Sequence, residues 1–232
     1  MLKAVIYEAI AIPKEVMPQM QFILNDNPYI IDLNTASSLK ASTPNAYKLA
    51  IEAFSKAISL DPKYSKDEVS PLLQTLVYLS FNEGVEHYNA TKFNDAIASF
   101  TQVNQIGAID NGKIFKGIGS MDTIFANAQY YNASCNFQAG KDDEALPLLE
   151  ESMKNPISQN ADLYIMASEI YEKKGNEAKW TETMQAAKAK YPNDKRIINN
   201  EINYYLRYPE KAQEAINKLK EGIAADPKKI DL

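Results

Sequence analysis

Cysteine, histidine and tryptophan each occur once in this chain. A single thiol, Cys135, excludes an intramolecular disulfide framework and a cysteine-rich zinc site. It is compatible with any redox compartment. A single imidazole, His87, leaves no H-E-x-x-H metal motif, and no EF-hand loop or nucleophile elbow is present either. Glycine is scarce at eight residues, and four of them (Gly107, Gly112, Gly117, Gly119) fall in one short stretch. The rest is almost glycine-free, which suits long helices. Positive charge is not in excess: 25 basic residues face 30 acidic ones, the signs are mixed, and the net charge is −5. Without a basic stripe, nucleic acid is not an expected partner. No run of about eighteen apolar residues occurs, so no membrane insertion is expected. The start, 1–13, has an apolar stretch, but Glu8 interrupts it and no small-residue cleavage site follows, so it does not read as a signal peptide. The expected setting is soluble, either cytoplasmic or, with a signal removed upstream, periplasmic.

What is present is an ordinary apolar share of 45% and an abundance of tyrosine, 14 residues. Tyrosine buries a large ring while its hydroxyl finds a partner or water, so it serves both helix packing and exposed grooves.

A spaced pattern recurs. In Ala50–Phe54–Ala57–Pro62 a small residue is followed by an aromatic, a second small residue and a proline. On a helix the first three share one face. The small residues let a neighbouring helix approach, Phe54 fills the gap, and Pro62 stops the helix. Ala96, Phe100 and Val103 repeat the arrangement, and Ala145, Leu149 and Ser152 do so more weakly. Trp180, Met184, Ala187 and Pro192 follow, then Ala215, Leu219, Gly222 and Pro227. In the three copies that end in proline the first landmark lies twelve residues before it. Successive first landmarks are separated by 46, 49, 35 and 35 residues. Partner segments precede them: Gly84-x-x-His87-Tyr88 with Phe93, then Ala133, Phe137 and Gly140, then Tyr164, Ser168, Tyr171 and Gly175.

This resembles the tetratricopeptide (TPR) pattern, W-x-x-L-G-x-x-Y, then A-x-x-x-F, then P, with a period of 34 residues. The resemblance implies an all-α, right-handed α-α superhelix of four to five antiparallel helix pairs. The expected domain is single, 1–232, with repeats at 1–62 (interrupted), 76–106, 122–157, 161–192 and 196–227. Two insertions lengthen the early period. One, Lys63–Thr75, is expected to extend the next helix so that it runs over Lys66–Tyr88. The other, Gly107–Met121, is expected to be a flexible surface loop. Between Ala4-x-x-Tyr7 and Pro44–Leu60 lies a long insertion, with a short helix expected around Glu15–Leu24. The beginning is either the end of an interrupted repeat's first helix or a lone capping helix over Leu2–Ile12.

No constellation of residues carries chemistry. His87 stands where the repeat wants an aromatic, and Cys135 has no thiolate-stabilising cation in the local sequence. Both read as packing residues. The lysines and glycines of 107–120 are in the wrong order for a phosphate loop. Trp180 occupies a landmark where the family prefers a small residue, and reads as core or half-buried packing, with a contact point for a partner as the alternative. The chain is therefore expected to be a non-enzyme with no cofactor.

In the family the surface lined by the first helix of each pair is the usual peptide-binding site. The resemblance therefore implies a scaffold for a protein or peptide, or a non-catalytic assembly segment of a larger repeat protein. Self-association through exposed terminal repeat faces is a further expectation. The candidate stripe on the second repeat is Tyr78, Phe81, Val85 and Tyr88, whose spacing keeps them on one helical face. Tyr130, Ser134 and Phe137 occupy corresponding places on the third repeat, and Ile165, Glu169 and Glu172 on the fourth. The acidic end would favour basic residues in a partner.

Overall fold

The computed structural model describes residues 10–11, 40–41, 46–60, 69–213, 216–217 and 220. The chain divides into two compact units, Met1–Ser158 and Gln159–Leu232. The first holds helices α1 (Ala46–Leu60), α2 (Ser70–Asn89), α3 (Phe93–Gly107), α4 (Gly119–Gln138) and α5 (Asp142–Lys154). The second holds α6 (Ala161–Lys173), α7 (Glu177–Lys190) and α8 (Lys195–Arg207), closed by a 3-10 turn at Pro209–Lys211. Among the described residues the architecture is all-α apart from one antiparallel pair of two-residue strands, β1 (Ile10–Ala11) with β2 (Lys40–Ala41).

Ile10 and Ala11 lie inside the helix expected over Leu2–Ile12, and they pair as a strand instead. Pro13 disfavours helical backbone at the residue before it, and the β-branched Ile10 fits an extended segment. The remainder of that helix, the one expected around Glu15–Leu24, and the landmarks Ala215, Leu219, Gly222 and Pro227 lie outside the described residues.

From α2 to α5 and from α6 to α8 the helices pack on their sequence neighbours, α1 meets the 3-10 segment Ile109–Phe115, and first helices also meet: α2 with α4 in one unit, α6 with α8 in the other. The joint inside each pair is the same object three times. At Ala90–Thr91–Lys92 the Lys92 amide donates to His87 O (2.9 Å) and the Thr91 amide to Tyr88 O (2.9 Å). At Ala139–Gly140–Lys141 the bonds run from Lys141 to Asn136 O and from Gly140 to Phe137 O. At Lys174–Gly175–Asn176 they run from Asn176 to Tyr171 O and from Gly175 to Glu172 O. Each is a Schellman turn, which satisfies the orphan carbonyls of the helix end through one left-handed residue. The left-handed residues are Thr91 (φ 56°), Gly140 (φ 72°) and Gly175 (φ 65°). The last residue of each turn then accepts the first bond of the next helix, from Ala96, Ala145 and Trp180 in turn. The first landmark of the repeat thus stands at the same offset from every turn.

The landmarks face inward. Ala96, Phe100, Val103, Ala145, Leu149, Ser152, Trp180, Met184 and Ala187 are all at most 2% exposed. Phe54 of α1 is likewise fully buried and joins the same core as Leu73, Leu76, Phe100, Val103 and Ile106. Gly84 explains how close α2 and α3 come: a Cβ there would stand 2.7 Å from Phe100 Cε1.

The insertion after Lys63 does lengthen the next helix, α2, which begins at Ser70 with Pro71 in its first turn, where a proline costs no helical bond. The 107–121 insertion is not simply a surface loop. Its 3-10 segment, Ile109–Phe115, buries Ile109, Ile114 and Phe115 against the first unit's core. Phe115 meets Phe125 edge-on at 5.2 Å. The Ser70 hydroxyl donates to Ile114 O at 3.3 Å, tying the segment to the start of α2.

Thr91 carries a left-handed conformation that costs a β-branched residue about 1–3 kcal/mol. Thr91→Gly should raise unfolding stability by about 1 kcal/mol, whereas Gly140→Ala and Gly175→Ala should each lower it by about 1 kcal/mol. Urea denaturation would check this, and a destabilised Thr91→Gly variant would contradict it. Gly84→Ala should cost about 1–3 kcal/mol by overpacking against Phe100. Adding Phe100→Leu should cost less in that background than in the parent, and additive losses would show that the two do not meet.

Candidate functional site

The four candidates on α2 sit on one face, and all are half-buried. Each packs one side against the first unit's core. Phe81 meets Phe100 edge-on at 5.7 Å and Tyr131 at 6.2 Å. Tyr88 meets Phe93 at 6.1 Å and Tyr131 at 5.2 Å, also edge-on. Tyr131 itself stacks on Phe100, with centroids 5.3 Å apart and planes 13° from parallel. Tyr131 is the ring that joins the α2 stripe to α4, and its place was not among the sequence-derived candidates. The signal that pointed to Tyr130 was register alone, and two adjacent tyrosines differ by about 100° of helix rotation.

On α4, Tyr130 is half-buried and edge-on to Tyr131 at 5.3 Å. Phe137 is half-buried, and Ser134 is buried at 4% exposure. Beneath this row lies a polar seam. Asn136 Nδ2 donates to Asn132 O and Oδ1 (both 2.9 Å), and Asn132 Nδ2 donates to Thr101 Oγ1 (3.1 Å). Burial of these amides is thus met by bonds, as a low-dielectric interior requires.

The last three candidates belong to the second unit. Ile165, Glu169 and Glu172 are half-buried on α6. Glu172 receives both arms of Arg207 of α8, at 2.7 and 2.6 Å. Asp162, one turn before Ile165, binds Arg196 at 2.6 Å, and Arg196 also pairs with Asp194 at the start of α8. The guanidinium holds the Asp194 carboxyl below the usual carboxylate range. The acidic end of the stripe therefore already has cations of its own chain.

His87 stands 3.9 Å from the Glu83 carboxylate, too far for a hydrogen bond. Cys135 is fully buried, and burial pushes its thiol up to about 11. A nucleophilic cysteine needs the opposite shift. Trp180 is buried at 2% exposure and stacks on Tyr204 of α8 with centroids 3.6 Å apart. Among the described residues no group of three or more His, Cys, Asp or Glu side chains is placed to hold a metal ion. Among them, too, no helix is long and apolar enough to cross a membrane.

Comparison with known proteins gave no significant similarity: no family model, no curated protein and no solved structure matches the chain.

Glu169 supplies a pH test of the second unit. Burial raises its carboxyl, the nearby Lys173 and Arg207 pull it down, and Glu172 pushes it up, with a net upward shift. Between the unfolded and the raised folded value, the native state binds more protons than the unfolded one. Stability therefore falls as pH rises through that window, and stays lower above it. Glu169→Gln should match the parent below about pH 4 and melt higher than the parent at about pH 7. Equal melting at both pH values would show that Glu169 is not penalised by its surroundings.

Proposed function

We propose that the chain is a tetratricopeptide-type repeat module and that it holds a protein or peptide partner on the first-helix faces of α2 and α4. The carrying observation is the recurrence of one joint: three Schellman turns, each with a buried landmark at the same offset. Pairs of this kind cannot bury their apolar faces alone and do so by stacking, which leaves one side of each first helix for a ligand. On that reading the pairs form a right-handed solenoid. The row of half-buried rings on α2 and α4 is suited to anchor a partner, because aromatic side chains dominate interface hot spots. Absence of catalysis is part of the same proposal. His87 is half-buried on α2 near Glu83, Cys135 is buried in α4, and the upward shift of the Cys135 thiol disfavours thiolate chemistry. The net charge of −5 favours a polypeptide over nucleic acid.

A second reading, a non-catalytic assembly segment of a larger repeat protein, draws on α8. Leu206 is 72% exposed and Ile198 37%, apolar surface that a further repeat or a second copy would cover.

The stripe is tested by changing Tyr78, Phe81 and Tyr88 singly to alanine and measuring melting and partner affinity on the same samples. At least one change should weaken binding by about 2 kcal/mol or more while lowering stability by much less. If every loss of binding is matched by a proportional loss of stability, the rings are core alone and the surface is elsewhere.

A further inference from the structure

Resting on the α2–α4 face as the binding surface, we propose that the segment it takes is an uncharged, extended stretch of polypeptide. Tyrosine rings would hold its side chains, and free carboxamides would bond its backbone. Among the described residues the face is built without ions. Helix α4 carries one charged residue in its whole length, Asp122, which lies in the first turn and off this face. On α2 the positions sharing the face are Tyr78, Phe81, Asn82, Val85, Tyr88 and Asn89, with Glu86 at its margin and Glu83 further round. Three amides border the rings: Asn82 and Asn127, both half-buried, and Asn89, exposed. None of the three side chains has a hydrogen-bond partner among the described residues, whereas Asn132 and Asn136 beneath them are paired.

A carboxamide offers a donor and an acceptor together, which matches a peptide group and asks for no counter-charge. A charged side chain laid on the rings would lose water with no ion among them to pair with, Glu86 standing only at the margin, a net cost. Tyrosine with asparagine and serine is also the composition by which antibody loops take neutral surfaces, with rigid rings for area and amides for adaptable bonding. The second unit is built on the opposite plan. There Asp162 and Glu172 stand at the equivalent register, and Arg196 and Arg207 neutralise them internally. Recognition is therefore assigned to the first unit's neutral face and not to the acidic positions of α6.

The experiment is selection of a random peptide display library of about twelve residues on the full chain, with maltohexaose titrated in parallel as a neutral carbohydrate. Enriched peptides should be depleted in Asp, Glu, Lys and Arg relative to the starting library. The affinity of a selected peptide should change less than about twofold between about 50 and about 500 mM salt. The double variant N82D/N127D should weaken that peptide by about tenfold or more, with melting unchanged. Enrichment of either charge, or a steep salt dependence, overturns the inference and leaves the binding surface standing. A folded N82D/N127D variant that binds as the parent does also overturns it. If no peptide is enriched, the peptide-binding reading falls and the inference with it. Binding of maltohexaose without peptides assigns the face to carbohydrate and overturns both.

Discussion

One constraint underlies the described structure: a single left-handed residue between two helices. A helix end leaves carbonyls without partners, and a Schellman turn resolves this within three residues. It also fixes where the second helix starts, because the last residue of the turn accepts that helix's first bond. The rotation of the second helix relative to the first is then set. Ala96, Ala145 and Trp180 consequently arrive on the inner side in every pair, and the residues four and seven further on follow them. Close approach needs a further concession, a missing Cβ at Gly84 where the Phe100 ring lies and another at Gly107 against Phe125. With the joint fixed, the apolar faces have one place to go.

The two units use that frame with different chemistry between their first helices. Between α2 and α4 the contact is aromatic, with Tyr131 touching Phe81 and Tyr88, while the same ring also meets Phe100 of α3 and its neighbour Tyr130. Ring pairs of this geometry contribute about 0.5–1.5 kcal/mol beyond the area they bury. Between α6 and α8 the polar contribution is two ion pairs, Arg207 to Glu172 and Arg196 to Asp162, with one neutral bond from the Ser168 hydroxyl to Asn200 Oδ1 at 3.1 Å. Both arginines are about half exposed, so these pairs add little net stability. Their effect is on register: two fork-shaped donors about three turns apart on α8 fit two carboxylates at the matching separation on α6. The stability of the second unit rests instead on Trp180, Tyr204, Tyr205, Met184 and Ile197, which are buried.

Much of this was legible in the residues. The landmark spacing located α3, α5 and α7 and the side each would bury, because that face is a matter of helix period alone. Gly140 and Gly175 announced two of the turns. Thr91 did not announce the third, since nothing in a β-branched residue suggests left-handed backbone, and only the turn's bonds to His87 and Tyr88 reveal it. The 107–121 insertion read as a loop because its glycines dominate locally. Its anchoring depends on Ile109, Ile114 and Phe115 reaching a core built by residues distant in sequence. The candidate face was legible only as a register. Tyr78, Phe81, Val85 and Tyr88 do share a side of α2, but how far each ring sinks is decided by Tyr131 and Phe100 on other helices. The internal partner of Glu172 was not legible either: a cation 35 residues away cannot be read from a carboxylate's neighbours.

The depth of those rings has its own consequence. A side chain that is fully exposed must be ordered when a partner binds, at about 0.5–1.5 kcal/mol for each immobilised side chain. Phe81 and Tyr88 have one edge already fixed against Phe100, Phe93 and Tyr131. Their free sides are held in place before any partner arrives, so little ordering cost remains. The same arrangement limits what they can do: a ring that serves the core cannot swing to follow a ligand. Adaptation would be left to the amides, Asn82, Asn89 and Asn127, which have no side-chain bond to break among the described residues. On the proposed reading, this rigid aromatic row and its bordering carboxamides would divide the labour of binding, with area supplied by the core's own rings and fit by amides that no described residue engages.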